Sequence, residues 1–378
     1  MSRARERQKQ RVEQRKTQES LNARPKLARP HLARDVPEVD LRFLRPILFV
    51  VAALVFMAAL ILLVGLFAGD ETIITPNAIW VGDDWTYQPH DADEVQDLTA
   101  QLQNYEITIV YAKVSELNFD ATWTGLPQGR NQFDEVRENV RTFAQQFKES
   151  APEVQLYGVL SVRSDLDADG YRLDDEVVVQ RVSQFAAQVV HSYGYDGIML
   201  VIEPVWDGDT YYLDLIRAVR DSIGDEKMLA VAVPPDWTPI EEGVPITDLI
   251  AAGTVWSLEY KQRVMLTLVD QVVVQAYNSY LQTQSDYAAW VAYQTRAYGR
   301  AVIDLEQISV DILMGVPAYE SFLPAHDDSI ETITAALIGV KQAEATLELP
   351  VISGVAIYAE WGMVDADWGS FQSGWLDK

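Results

Sequence analysis

From Pro76 onward, short apolar runs rich in Val and Ile alternate with longer stretches in which apolar residues recur every three or four positions. The first pattern predicts buried strands and the second amphipathic helices. Eight strands follow in order: Ala78–Gly82, Glu106–Ala112, Gln155–Val162, Gly197–Ile202, Leu229–Val233, Gln271–Ala276, Asp311–Val316 and Ser353–Ile357. Between them the helical period covers Phe133–Lys148, Glu176–Tyr193, Tyr211–Ile223, Tyr280–Tyr298 and Ser329–Ala345. Both faces of the strands are apolar, as a parallel sheet covered on both sides requires. Eight strand–helix repeats predict an α/β fold, a (β/α)8 TIM barrel over residues 76–378. The structural rival is an open, doubly wound sheet, but no glycine-rich phosphate loop follows any strand to support it.

One earlier segment breaks this rhythm. Ile47–Ala68 is uncharged throughout, and a helix of that length crosses the ~30 Å of a bilayer's hydrocarbon. A cleavable signal peptide has a shorter apolar core nearer the N-terminus, so the segment reads as an uncleaved transmembrane anchor. Residues 1–46 hold 13 Lys and Arg against 6 Asp and Glu, which predicts a basic, disordered cytoplasmic tail. Residues 69–75 then form a short linker to a domain outside the cytoplasm, giving a single-pass plasma-membrane protein. The lipid bilayer is thus an expected partner through residues 47–68, and the tail's cations suit anionic headgroups.

Charge narrows the ligand classes. Of 30 basic and 56 acidic residues, 17 and 50 lie from residue 47 onward, a formal charge of −33. Such a field repels polyanions, which argues against nucleic acid and favours a basic ligand or a neutral sugar. With no cysteine, the outer domain has neither disulfides nor thiolate metal sites and depends on its core. His90, His191 and His326 stand at no ligand spacing, so no metal or other cofactor is expected. The alternating acids of Asp165-Leu166-Asp167-Ala168-Asp169-Gly170 resemble the start of a calcium loop, but the closing Glu is missing from its place.

Barrel enzymes place their chemistry where strands end. The fourth strand ends in Glu203, and strand alternation puts Met199, Val201 and Glu203 on one face. A carboxyl beside apolar side chains resists ionisation, which suits a general acid; the plainer reading is a strand cap paired with an Arg. Further acids follow other strands: Asp83 and Asp84, Asp165, Glu320 and Glu360. Trp85, Trp206, Trp237, Tyr277, Tyr280, Tyr358 and Trp361 fall at or just past strand C-termini, and aromatic planes on one rim suit the C–H faces of sugar rings. By alternation Gln275 shares the inward face with Tyr277.

Asp196-Gly197 followed six residues later by Glu203 resembles the fourth-strand motif of glycoside hydrolase family 18, the chitinase-like barrels. In matching order, Asp270-Gln271-Val272-Val273-Val274-Gln275-Ala276-Tyr277-Asn278 is similar to the sixth strand, Met314-Gly315-Val316-Pro317-Ala318-Tyr319 to the seventh and Gly354-Val355-Ala356-Ile357-Tyr358 to the eighth. The resemblance implies a hydrolase of an N-acetylglucosamine-type glycan, chitin or peptidoglycan. It makes Glu203 the general acid and Tyr277 the support of the reacting N-acetyl group, with Asn278 beside it. The chain departs where the family has Asp at both inward positions below the Glu, for it has Met199 and Val201. Glu203-Pro204 with Glu320 also resembles the glutamate pair of retaining glycosidase barrels. Two readings follow: a membrane-anchored hydrolase with Glu203 as acid and Asp84, Trp85, Trp206, Trp237, Gln275, Asn278, Glu320, Tyr358, Glu360 and Trp361 on the substrate, or an inactive barrel that binds carbohydrate or a partner protein.

Overall fold

Strand β1 (Asn77–Val81) is buried along its whole length and pairs in parallel with β2 (Ile107–Leu117). The ring continues through β3 (Gln155–Arg163), β4 (Gly197–Glu203), β5 (Met228–Val233), β6 (Gln271–Val274), β7 (Asp311–Pro317) and β8 (Gly354–Tyr358). Every pair is parallel, and Ala78↔Ala356 and Ile79↔Ile357 close β8 onto β1. The fold is therefore the closed eight-stranded barrel that the alternation predicts. This computed structural model describes residues 75–377, except 126–132, 165–171, 238–242, 246–253, 304, 306–309 and 348–349. The tail 1–46, the expected span 47–68 and the acid-rich loop from Asp165 to Gly170 lie outside the described residues. Among the described residues, no helix is long and apolar enough to cross a membrane.

Each crossover is helical: α1 (Asp83–Tyr87) and α2 (Ala92–Asn104) after β1, then α3 (Phe133–Ser150), α4 (Glu176–Ser192), α5 (Thr210–Ile223), α6 (Leu258–Met265), α7 (Gln284–Ile303), α8 (Ile333–Glu344) and α9 (Asp365–Phe371). Their starts follow local chemistry. Asp91 caps α2 in a reciprocal box with Glu94, and Asp175, Asp209, Ser257 and Thr332 accept backbone N–H groups at the starts of α4, α5, α6 and α8. In α3 the buried residues Phe133, Val136, Val140, Phe143, Ala144 and Phe147 form one stripe against the sheet.

The alternation of each strand sorts its side chains. Val110, Ala112 and Val114 face the helices, whereas Ala78, Trp80, Ile109, Tyr111, Tyr157, Val159, Met199, Ala230, Ala232, Val273, Leu313 and Ala356 fill the interior. Large rings from β1–β3 meet alanines from β5 and β8, so the barrel is solid below its mouth. Trp80 packs on Tyr111 at 4.5 Å and Tyr111 on Tyr157 at 5.8 Å, while the Tyr111 hydroxyl donates across the interior to Gln271.

Strand β2 runs past the expected end at Ala112, because a bulge between Lys113 and Ser115 keeps it paired with β3 despite its polar residues. Helix α7 starts at Gln284, not Tyr280. Asn278 and Tyr280 have φ of 58° and 62°, which helical backbone does not allow, and the Thr283 hydroxyl accepts from Asp286 N–H at the new start.

The N-terminal rim is tied together by aspartates. Asp196 accepts from Leu156 N–H at 2.9 Å and pairs with Lys148 at 2.7 Å. Asp270 repeats the device with Leu229 N–H at 3.0 Å and the buried Arg220 guanidinium, and the Asp311 carboxylate accepts from the Ser353 hydroxyl at 2.9 Å. Asp196 and Asp270, both in the family-like motifs, thus stand opposite the mouth and hold strands in register. Asp270→Ala leaves Arg220 among carbonyls with no carboxylate, and should lower unfolding stability by about 3 kcal/mol. Urea titration checks this; a shift under about 0.5 kcal/mol is what an exposed pair gives.

Candidate active site

The C-terminal mouth of the barrel opens into a cavity of about 790 Å³. Its floor and walls come from six strand ends or the loops that follow them. Trp80 stands on β1, Val201 and Glu203 on β4, Trp237 after β5, Gln275, Tyr277 and Asn278 after β6, Tyr319 and Glu320 after β7, and Tyr358 and Trp361 at and after β8. A cavity of this size with mixed aromatic and polar walls is what ligand sites commonly present.

Glu203 is the group around which the rest is arranged. It opens to cavity water on one side, while protein crowds it on the others. Loss of hydration raises its pKa above the ordinary glutamate value, opposed by a hydrogen bond with Gln275 and by the Arg163 guanidinium. Arg163 is the register partner of Glu203 on the neighbouring strand. Beneath the acid stand Val201, in the cavity wall, and Met199, fully buried in the barrel interior. The two positions where the resemblance expects carboxylates are therefore hydrocarbon.

The Gln275 side chain also hydrogen-bonds Tyr277, whose pKa burial raises well above the ordinary tyrosine value. Burial likewise raises Tyr319 and Tyr358, with Glu331 adding to the first and Glu203 to the second. All three phenols keep their protons at neutral pH and can donate. Tyr277 and Tyr358 stack with centroids 5.2 Å apart and planes at 17°, and Tyr319 sets its edge against both. Trp80 and Trp361 meet Tyr358 edge-on at 5.5 Å each, and Trp237 rests on buried Trp290. Such pairs fix ring orientation as well as burying area.

Two glycines make this packing possible. A Cβ on Gly315 would lie 2.6 Å from the Val274 carbonyl oxygen and 3.1 Å from the Tyr277 ring, and one on Gly362 would overlap the Ala318 carbonyl. Both contacts join neighbouring strand ends at the mouth.

Of the residues expected on substrate, Glu203, Trp237, Gln275, Tyr277, Asn278, Glu320, Tyr358 and Trp361 line this cavity, as does Tyr280. Asp84, Trp85, Trp206 and Glu360 do not. Asp84 is exposed in the first turn of α1, and its backbone carbonyl accepts from His90. Trp85 turns toward His90 and Phe143, and hydrogen-bonds Glu360, whose pKa burial raises. The Trp206 carbonyl accepts from Asp209 N–H at the start of α5. Among the alternative acids, Glu320 shares the cavity with Glu203, while Asp83 reaches the site through its field on Tyr358. Sequence reasoning missed Trp80, Tyr319 and Phe322. Trp80 is an interior ring on β1 and Phe322 lies beyond its strand; Tyr319 ends the seventh-strand motif, and its place two residues past β7 is the signal that marks it as rim.

No family model matches the sequence, and no curated protein matches it. Solved structures do match in fold. The Group IV chitinase of Ostrinia furnacalis superposes with a TM-score of 0.51 at 14% identity, covering 80% of this chain and 100% of that one. The spore cortex-lytic enzyme SleL of Bacillus cereus gives 0.51 at 12%, over 79% and 74% of the two chains. A family 18 chitinase of Cycas revoluta, as a double mutant with (GlcNAc)4 bound, gives 0.50 at 12%, over 79% and 99%. The chain is thus a divergent barrel similar to the family 18 chitinases. At these identities the shared property is the fold.

The Gly315 contact sets the next expectation. Gly315→Ala pushes its new methyl against the Val274 carbonyl and Tyr277, costing about 1–3 kcal/mol of stability. Near-ultraviolet circular dichroism should change with it as the Tyr277–Tyr358 stack shifts. An unchanged aromatic spectrum would show that the rings do not depend on this close approach.

Proposed function

We propose that the barrel is a glycoside hydrolase acting on an N-acetylglucosamine-type glycan, chitin or peptidoglycan, with Glu203 as general acid. The observation that carries this reading is a carboxyl at the centre of an aromatic-walled cavity, its pKa raised by loss of hydration. The fold shared with chitinases and with a spore cortex-lytic enzyme adds support, as does the tetrasaccharide bound by one of them. Sugar C–H faces meet the rings of Tyr277, Tyr358, Trp361 and Trp237, and the hydroxyls meet Gln275, Asn278 and Glu320.

In the chemical step Glu203 gives its proton to the glycosidic oxygen as the C–O bond breaks. The leaving sugar departs as an alcohol and Glu203 becomes a carboxylate. Water then adds to the anomeric carbon and its surplus proton returns to Glu203. The stacked faces of Tyr277 and Tyr358, the ionised Glu203 and the carboxylate of Glu320 are the groups facing the positive charge that develops on the sugar. Loss of hydration around Glu203 raises its pKa and so favours the proton-bearing form that this step needs.

The second reading, a barrel that binds glycan without cutting it, rests on Met199 and Val201. With hydrocarbon where the family has carboxylates, nothing on β4 below Glu203 orients an N-acetyl group or balances its positive form. The two readings part on product formation. The hydrolase reading expects Glu203→Gln to lower turnover of N-acetylglucosamine oligomers by about 10²–10⁴ with binding retained. An inactive barrel shows binding and no reducing ends in either protein. Equal turnover in wild type and Glu203→Gln would remove Glu203 from the chemistry.

Turnover also depends on pH with a definite sign. The proton-bearing form of Glu203 is the competent one and its pKa is raised. Activity through this acid is therefore full below that raised value and falls as pH climbs through it. A pH–kcat profile with its alkaline limb above the ordinary glutamate range is expected; a limb at the ordinary value would place the acting carboxyl elsewhere.

The proposal extends to placement: residues 47–68 anchor the barrel in the plasma membrane with the basic tail in the cytoplasm. Carbonate-washed membranes should retain the full chain and lose one deleted for 47–68, and protease added to intact cells should reach the barrel. Release of the full chain by carbonate would refute the anchor.

A further inference from the structure

Beside the cavity, and outside the chemistry just described, lies a buried histidine–glutamate pair. His326 and Glu331 are 1% and 2% exposed. His326 Nδ1 lies 2.7 Å from Glu331 Oε2, and its Nε2 lies 3.1 Å from the Tyr319 carbonyl oxygen. The same carboxylate accepts Asn278 N–H at 2.9 Å, Ser279 N–H at 2.7 Å and the Ser279 hydroxyl at 2.6 Å.

The Glu331 carboxylate is thus held by Nδ1 of the ring on one side and by three donors of Asn278 and Ser279 on the other, while Nε2 stands against a carbonyl oxygen. The other groups facing the pair are the Tyr319 ring, stacked on the imidazole at 3.9 Å, the exposed Asp327 carboxylate, and the Tyr287 phenol near Glu331.

This pair reaches the cavity along two routes. Through Glu331 it holds the backbone of Asn278, which sits at φ 58°, a left-handed conformation that a non-glycine residue keeps only when held. Through His326 it holds the Tyr319 carbonyl and ring, and the Tyr319 hydroxyl donates to Asn278 Oδ1 at 2.7 Å. Asn278 and Tyr319 both line the cavity. The lip on which His326 sits is closed by paired backbone bonds between Phe322 and His326, so Phe322 moves with it.

We propose that the His326–Glu331 pair positions Asn278 and Tyr319 against the ligand, making His326 a positioning residue whose loss loosens one wall of the cavity. This rests on the glycan reading for the identity of the ligand, though not for the bracing of Asn278.

The test uses the full chain in detergent micelles with 15N-labelled asparagine, the Asn278 side-chain amide being the signal lost in Asn278→Asp. Expected in His326→Gln is a shift of that amide relative to wild type. An Asn278 amide unmoved by His326→Gln overturns the proposal. Calorimetry with (GlcNAc)4 on the Glu203→Gln background reads the consequence. His326→Gln should weaken binding at least tenfold, Tyr319→Phe less, and the double variant no more than His326→Gln alone. Unchanged affinity in His326→Gln overturns the positioning role while leaving the glycan reading intact. If the Glu203→Gln chain itself ignores the tetrasaccharide, that counts against the glycan reading alone, and the amide signal decides the inference. Should His326→Gln fail to fold, Tyr319→Phe, read by the same amide signal and affinity, carries the decision.

Discussion

A parallel strand at the edge of a sheet leaves a row of N–H and C=O groups without partners, and this chain removes both edges by bringing β8 back to β1. The closing seam is short, Ala78↔Ala356 and Ile79↔Ile357, so its stability comes chiefly from what fills the ring. Closure in turn dictates the interior: inward side chains on eight converging strands must sum to a fixed volume. Trp80, Tyr111 and Tyr157 crowd one side, and alanines on β5 and β8 make room for them. The plug they form leaves depth only at the C-terminal mouth, so the cavity follows from the packing below it.

The same plug determines the electrostatics of the mouth. Water is excluded below Val201, so Glu203 stands on an apolar floor, and loss of hydration outweighs the pull of Arg163 and Gln275. The chain is acidic, yet a cation is the charge set opposite the central acid on β3. Repulsion between carboxylates is therefore not what raises the Glu203 pKa. The rim aspartates show the opposite case: Asp196 and Asp270 face cations and backbone N–H groups, and hold strands together.

Most of the barrel was legible because its strands are short runs of Val, Ile and Leu bounded by polar residues, and each of the eight was located within a few residues of its place. The misses have physical causes. Lys113, Ser115 and Glu116 read as loop, since a sequence does not show a bulge; Tyr280 read as helix, since nothing in its identity announces a positive φ. At the site, strand-end position identified Glu203, Gln275, Tyr277 and Tyr358, whose direction follows from alternation. It placed Asp84, Trp85 and Glu360 less well, because they lie past the strands where loop geometry decides direction. Trp85 turned back onto the helices and took Glu360 as its partner. The His326–Glu331 pair was invisible because its five-residue spacing carries no motif, and only the lip of the β7–α8 loop brings the two together.

The replacement of carboxylates by Met199 and Val201 bears on more than the loss of a helper. An aspartate two residues before Glu203 would share the inward face with it, and two like charges so close cannot both ionise; one proton would be held between them. Val201 removes that coupling. Loss of hydration is then what raises the Glu203 pKa, against the pull of Gln275 and Arg163, with no second carboxylate on its own strand face to share the proton. On the proposed hydrolase reading, stabilisation of a cation forming on the sugar comes from across the cavity, from the wall carrying Tyr277, Asn278, Tyr319 and Glu320. That wall is the one the His326–Glu331 pair adjoins, so on the same reading the order of the β6 and β7 loops takes the part expected of acids on the fourth strand.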